Sequence, residues 1–286
     1  MSATNQPTVC SVLLGAVRWC NVVLTVAVYL ALLPFGWTLF AILCFLGRRD
    51  PVALARRLQR IQVFAYRLMH DWLRFALITR FRHRESLPGL PAGPCVVVAN
   101  HPTLMDITAI TAVLGGGCTI VKPAMFRRRF LHRLLVGAGH IEGPGADVLS
   151  IGRAIDEAVD RLRNGFSVIV FPEGTRAPPG ELLPFGRSPF EIACRAGVPL
   201  VSLAIVCRPP YLSKDVPLFR PPHPTAELSL SVLAVDNPAD FGNDSRKLQS
   251  CAETRYRSWQ AACAKVEPPC PSEEKETRCQ ISSKTG

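Results

Sequence analysis

Residues 95–106 read CVVVANHPTLMD, and the change of character inside this stretch sets the fold. Cys95–Ala99 is a short β-branched run, preceded by the Pro- and Gly-rich segment SLPGLPAGP at 86–94. Such a run reads as a buried strand. The polar turn Asn100-His101-Pro102 ends it, and a helical stretch around Asp106–Leu114 follows. The same unit recurs along the chain. Thr119–Val121 is a second short strand, and Met125–Val136 reads as one basic helix. Val148–Arg163 has apolar positions three and four apart, the mark of a helix, and Ser167–Phe171 is a further buried strand. The helix Pro189–Ala196 leads to the strand Leu200–Cys207. Thr225–Val235 alternates as a partly exposed strand, and Leu248–Ala264 closes the order as a helix. Strands alternating with helices predict an α/β fold: a mostly parallel sheet flanked by helices.

Upstream, the chain is of another kind. Asn21 to Leu46 carries no charged residue, longer than the roughly 20 residues that cross a bilayer core. Pro34-Phe35-Gly36 interrupts this membrane-anchor segment and either kinks one helix or turns a shallow hairpin. Arg48, Arg49, Arg56, Arg57 and Arg60 follow closely. By the positive-inside rule they place everything from residue 48 onward in the cytoplasm. Arginines then mix with Ile61, Phe64, Leu68, Trp72, Phe75 and Leu77 at helical spacing. This reads as an interfacial amphipathic helix or as a helix covering one face of the domain. The expected organisation is an anchor at 1–50, a basic amphipathic helix at 51–85, a catalytic domain at 86–266 and a disordered polar tail at 267–286.

Composition narrows the partners. The 286 residues are 48% hydrophobic with a formal net charge of +11, which suits anionic partners. Beside an apolar amino terminus the partner is lipid, and no nucleic-acid recognition module accompanies the charge. The eleven cysteines are odd in number and form no C-x-x-C pair, so neither a zinc nor a redox motif is indicated. A G-x-S-x-G elbow is missing too, which sets aside a serine hydrolase.

Two motifs carry the chemistry. In Asn100–Asp106, Pro102 favours the first helical position, which puts His101 at the cap and Asp106 just over one turn in. A carboxylate there can reach one imidazole nitrogen, fix its tautomer and leave the other facing outward. Phe171-Pro172-Glu173-Gly174-Thr175-Arg176 again follows a strand, and its arginine offers a planar fork to an anion. Each motif alone is common: a histidine capping a strand end, a Glu–Arg pair in a surface turn.

Together, NHPTLMD and VFPEGTR about seventy residues later closely resemble the glycerolipid acyltransferase family, over roughly residues 85 to 210. The stretches LPFGRSPFEIA (183–193) and GVPLV (197–201) look like the family's later motifs. The resemblance implies an O-acyltransferase with His101 as general base and Asp106 as its orienting partner. Glu173, Gly174, Thr175 and Arg176 would bind the acceptor, with Lys122 and Arg187 as further cations. It implies no metal, no cofactor and no covalent acyl-enzyme. The acyl chain would pass from acyl-CoA or acyl carrier protein to the hydroxyl of a lysophospholipid, 1-acyl-glycerol-3-phosphate or a related one, at a bacterial inner membrane. Two departures are visible. Gly139–Pro144 reads GHIEGP, with Glu142 where an arginine is frequent, and Arg187-Ser188 stands where lysine and glycine are common. They open a non-glycerophosphate acceptor, such as a lyso-ornithine lipid or a specialised pathway product. A non-catalytic lipid-binding module is the remaining alternative.

Overall fold

The computed structural model of the chain describes residues 9–47, 49–82, 87–145, 147–178, 180–214, 216–217 and 219–266. Arg48 and the tail 267–286, read above as disordered, lie outside these. Two helices open the chain, α1 (Val9–Leu46) and α2 (Pro51–Phe75). Then come β1 (Thr79–Phe81), β2 (Val96–Ala99), α3 (Asp106–Leu114), β3 (Cys118–Val121), α4 (Pro123–Phe126), α5 (Arg129–Gly137) and β4 (Ile141–Glu142). The order ends with α6 (Val148–Arg163), β5 (Val168–Val170), α7 (Ser188–Ala196), β6 (Leu200–Arg208), β7 (Ala226–Asp236) and α8 (Ser245–Val266).

The strands form one sheet in the order β1-β7-β6-β2-β5-β3-β4. From β6 to β4 they run parallel, while β7 is antiparallel to β6 and parallel to β1. The sequence reading of a mostly parallel sheet flanked by helices is what the chain adopts. β2 lies at the centre, and all four of its residues are fully buried. The strand period of two sends Val96 and Val98 toward α6, α7 and α8, and Val97 and Ala99 toward α2 and α3. Each buried valine contributes about 1.5–3 kcal/mol, so the strand that carries the site is held from both faces.

Three local expectations are corrected. First, α3 starts at Asp106 rather than Pro102, because side chains occupy the amides that would open the helix. Thr103 N–H donates to Asp106 Oδ2 at 2.8 Å, and Met105 N–H donates to Thr103 Oγ1 at 3.1 Å. Second, the basic helix after β3 is two helices, broken where Arg128 is extended (φ −64, ψ 122). Third, Thr79–Phe81 is an edge strand, its partners Ala226–Leu228 lying far along the chain.

The apolar segment is one continuous helix through Pro34, without a hairpin. Thr38 Oγ1 donates to the Pro34 carbonyl at 2.8 Å. Leu13–Leu46 is long and apolar enough to cross a membrane. Yet α1 lies antiparallel along α2 and is fastened to the rest of the fold near both ends. Arg18 Nη1 donates to the Pro222 carbonyl at 3.4 Å, and Asn21 Nδ2 to that of Ala76 at 3.0 Å. Trp72 Nε1 donates to Thr25 Oγ1 at 2.9 Å. At the other end Phe40, Leu43 and Cys44 pack on Leu54, Leu58 and Ala138. Asp50 caps α2 through the Ala53 N–H, with Pro51 in its first turn. One face of α2 buries Leu54, Leu58, Val63 and Leu73, while Arg56, Arg57, Arg60, Phe64, Leu68 and Phe75 face outward.

Candidate active site

The site stands at the carboxyl edge of the sheet, where ligands of open α/β folds bind. β2 ends at Ala99, and Asn100 extends its pairing by side chain: Oδ1 accepts from Ile205 N–H at 2.8 Å and Nδ2 donates to Ile205 O at 2.9 Å. The amide thus replaces one peptide rung between β2 and β6. Below it, the Tyr256 hydroxyl of α8 is fully buried and lies 2.9 Å from the Val98 carbonyl and 2.6 Å from that of Leu203. The backbone that delivers His101 is therefore fastened on two sides.

His101 Nδ1 lies 2.8 Å from Asp106 Oδ2. A carboxylate can only accept, so Nδ1 carries the proton and Nε2 is left as the basic nitrogen. The imidazole is 19% exposed and the carboxylate 0%. The ring stacks on Phe171, with centroids 4.0 Å apart and planes 14° from parallel. Burial pushes the Asp106 carboxyl up to about 6, offset in part by His101, the Thr103 N–H and the charge of Arg176. Its Oδ1 is buried without a hydrogen-bond partner among the described residues. His140, by contrast, is buried, pushed down to about 4 by burial, and accepts the Thr119 N–H on Nδ1. It is a neutral packing group.

The second motif wraps the first. Glu173 Oε1 accepts the His101 N–H at 3.3 Å, and Oε2 accepts the Leu183 N–H at 2.8 Å. Both oxygens are thus engaged by backbone, and burial raises this carboxyl above its ordinary range. Gly174 turns the chain at φ +67, a left-handed conformation that disfavours side chains. Arg176 Nη1 donates to the Leu212 carbonyl at 3.0 Å, and Leu104 N–H donates to the same oxygen at 3.2 Å. The loops after β2, β5 and β6 therefore meet around one carbonyl.

His101, Asp106, Glu173 and Arg176 thus come together, with Gly174 as the turn between the last two. Lys122 and Thr175 are exposed and their side chains make no hydrogen bond or ion pair among the described residues. Arg187 is exposed at the start of α7, 3.8 Å from Glu191. Glu142 receives a cation from elsewhere: Arg127 Nε lies 2.5 Å from its Oε1. Asn100, Phe171 and Tyr256 escaped the sequence reading. Only Asn100 and Phe171 had a signal, their places inside the two motifs. Among the described residues no group of three or more His, Cys, Asp or Glu side chains is placed to hold a metal ion.

A family model described as Acyltransferase matches residues 79–206. The human 1-acyl-sn-glycerol-3-phosphate acyltransferase alpha is 29% identical over 174 residues, 59% of this chain and 59% of its own length. The chloroplastic 1-acyl-sn-glycerol-3-phosphate acyltransferase BAT2 of Brassica napus is 30% identical over 124 residues, 43% of this chain and 36% of that protein. These matches span less than two thirds of either relative. The crystal structure of the 1-acyl-sn-glycerophosphate (LPA) acyltransferase PlsC from Thermotoga maritima superposes with a TM-score of 0.63 at 21% identity, covering 90% of this chain and 99% of that one. At that identity the likeness is one of fold. Over residues 79–206, with the two motifs at one sheet edge, the chain matches the Acyltransferase family model and is similar to proteins named 1-acyl-sn-glycerol-3-phosphate acyltransferase.

Proposed function

We propose that the chain is an O-acyltransferase that moves an acyl group from a thioester of coenzyme A or acyl carrier protein to the free hydroxyl of a lysophospholipid. The observation that carries this is the 2.8 Å His101–Asp106 pair, with Nε2 left free beside an anion-binding turn. His101 Nε2 takes the acceptor hydroxyl proton as the oxygen attacks the thioester carbonyl carbon. The tetrahedral intermediate collapses with cleavage of the C–S bond, and the imidazolium returns its proton to the leaving sulfur. Products are the acylated lipid and a free thiol, with no redox change. The Asp106 charge supports the imidazolium while it lasts. A positioned base is worth roughly 10² to 10⁴ in rate, and holding both substrates together adds to this.

Glu173 acts in this reading as a positioning residue, since its oxygens hold the backbone of His101 and the loop at Leu183. Arg176, beside Asp106, is the cation for the acceptor phosphate, with Lys122 and Arg187 further out along the same edge. The relatives' names favour lysophosphatidate as acceptor. The Glu142 carboxylate at the end of β4 is already paired with Arg127, so the lyso-ornithine lipid or other non-glycerophosphate acceptor stays a second reading that the acceptor panel decides. The apolar outer faces of α1 and α2 bring the domain to its lipid, and Arg56, Arg57 and Arg60 suit the cytoplasmic leaflet of a bacterial membrane.

The test is transfer of labelled acyl chains by the purified full chain to a panel of lysolipids, from either donor. His101→Ala is expected to abolish transfer with folding intact. Full activity in that variant would remove the reading, and absence of turnover by the unaltered chain across the panel would favour a lipid-binding module.

A further inference from the structure

The opposite edge of the sheet holds a second concavity. A half-open cavity of about 590 Å³ opens where β2, β3 and β5 begin, at the far end of β2 from His101. Arg56 and Arg60 of α2 supply cations to it, and among the described residues no Asp or Glu lines it. Neither guanidinium has a carboxylate partner among the described residues. Arg56 Nη2 donates to the Asn164 carbonyl at 2.7 Å, and the group lies 5.2 Å over the Phe166 ring. Arg60 Nε reaches only the Arg56 carbonyl, at 3.4 Å. Leu90, Val113 and Leu114 supply an apolar wall.

The glycine run 115–117 keeps the mouth low. A Cβ on Gly116 would meet Gln59 Oε1 at 2.8 Å, and one on Gly117 would meet Ile169 Cδ1 at 3.0 Å. Gly115 faces open space. Residues four apart share a helix face. From Arg60 that face continues to Phe64 and Leu68, 69% and 60% exposed, beside the apolar helix α1. Two guanidiniums without acids, beside an exposed apolar stripe, match a charged headgroup whose chains lie along the stripe.

We propose that this cavity is a second, non-catalytic site for a phosphate group, carried by a bilayer lipid headgroup or by a soluble phosphate. Binding is read directly, so the outcome is independent of whether the chain transfers acyl groups. The full chain in a non-ionic detergent is titrated calorimetrically with dihexanoyl phosphatidylglycerol and, separately, with inorganic phosphate. Saturable binding that weakens about tenfold or more in Arg56→Gln/Arg60→Gln, and stays within twofold in the equal-charge control Arg128→Gln/Arg129→Gln, supports the site. Gly115→Asp keeps both arginines and places a carboxylate at the mouth, in a conformation aspartate tolerates; the same loss is expected there. Phosphatidylglycerol binding with this pattern assigns a lipid headgroup, and inorganic phosphate binding with it assigns a soluble source. No saturable binding of either probe, or equal losses in the two double variants, overturns the proposal.

Discussion

Asp106→Asn separates the cost of the buried carboxylate from its use. Asp106 is fully buried, and burial lifts its carboxyl from 3.8 to about 6. The folded protein thus binds this proton more tightly than the unfolded chain does. Between pH 4 and 6 folding takes up a proton, so stability from this group falls as pH rises, and the cost is complete above about pH 6. Two pH units correspond to about 3 kcal/mol. The asparagine oxygen can take the place of Oδ2, accepting from His101 Nδ1 and the Thr103 N–H. Its NH₂ then falls where Oδ1 has no partner. That unpaired donor costs about 1–3 kcal/mol at every pH. The stability of Asp106→Asn relative to the unaltered chain should therefore improve by about 2.5 kcal/mol from pH 4 to pH 8, since a small part of the cost is already present at pH 4. Over the same change kcat should drop about 10² to 10⁴, because the imidazolium loses its counter-charge. Guanidinium unfolding in detergent, followed by tryptophan fluorescence at both pH values, measures the first, and initial acyl-transfer rates the second. A stability difference that stays flat with pH within about 0.5 kcal/mol would refute the buried-charge reasoning, and undiminished kcat would refute the catalytic role.

Glu173→Ala leaves the His101 and Leu183 N–H groups without their acceptor. It should lower kcat about tenfold or more with little change in acceptor KM; a raised KM at constant kcat would make Glu173 an acceptor ligand instead. Arg176→Lys gives up the planar fork and the bond to the Leu212 carbonyl. Steady-state kinetics should show acceptor KM rising about tenfold for phosphate-bearing lysolipids, and an equal rise with an uncharged acceptor would count against phosphate binding. Tyr256→Phe removes the fully buried hydroxyl between the Val98 and Leu203 carbonyls. It should cost about 1–3 kcal/mol in chemical unfolding and leave KM unchanged, whereas unaltered stability would mean those carbonyls need no such donor.

What the sequence made legible was local. The valine run ending in Asn100-His101 and the run ending in FPEGTR each name a strand and the turn after it, and both turns fall on one sheet edge. Contacts between distant segments were not legible. Asn100 meets Ile205, Tyr256 meets Val98, and Arg127 meets Glu142, none of them at a spacing that a helix or strand would repeat. Thr79–Phe81 is too short for a period to show, and only its pairing with β7 makes it a strand. The helical stretch at Asp106–Leu114 was legible, whereas Pro102, a good first helical residue, does not open it because the side chains of Thr103 and Asp106 take the amides there. The family resemblance implies Glu173 as an acceptor ligand, and only the fold shows that its oxygens also take the backbone N–H groups of His101 and Leu183.

The fastening of α1 has a consequence for biosynthesis. Arg18 donates to the carbonyl of Pro222, 204 residues further along the chain. At about 5–20 residues per second, the ribosome takes about 10–40 s to make that partner after Arg18 has been joined. β7, which β1 needs, is made just as late. For that interval the most apolar helix of the protein lacks this bond, and its amino-terminal half is held through Ala76 and Trp72 at the end of α2. Much of its surface stays exposed in the finished fold as well, so production without membranes or detergent is expected to yield aggregated chains.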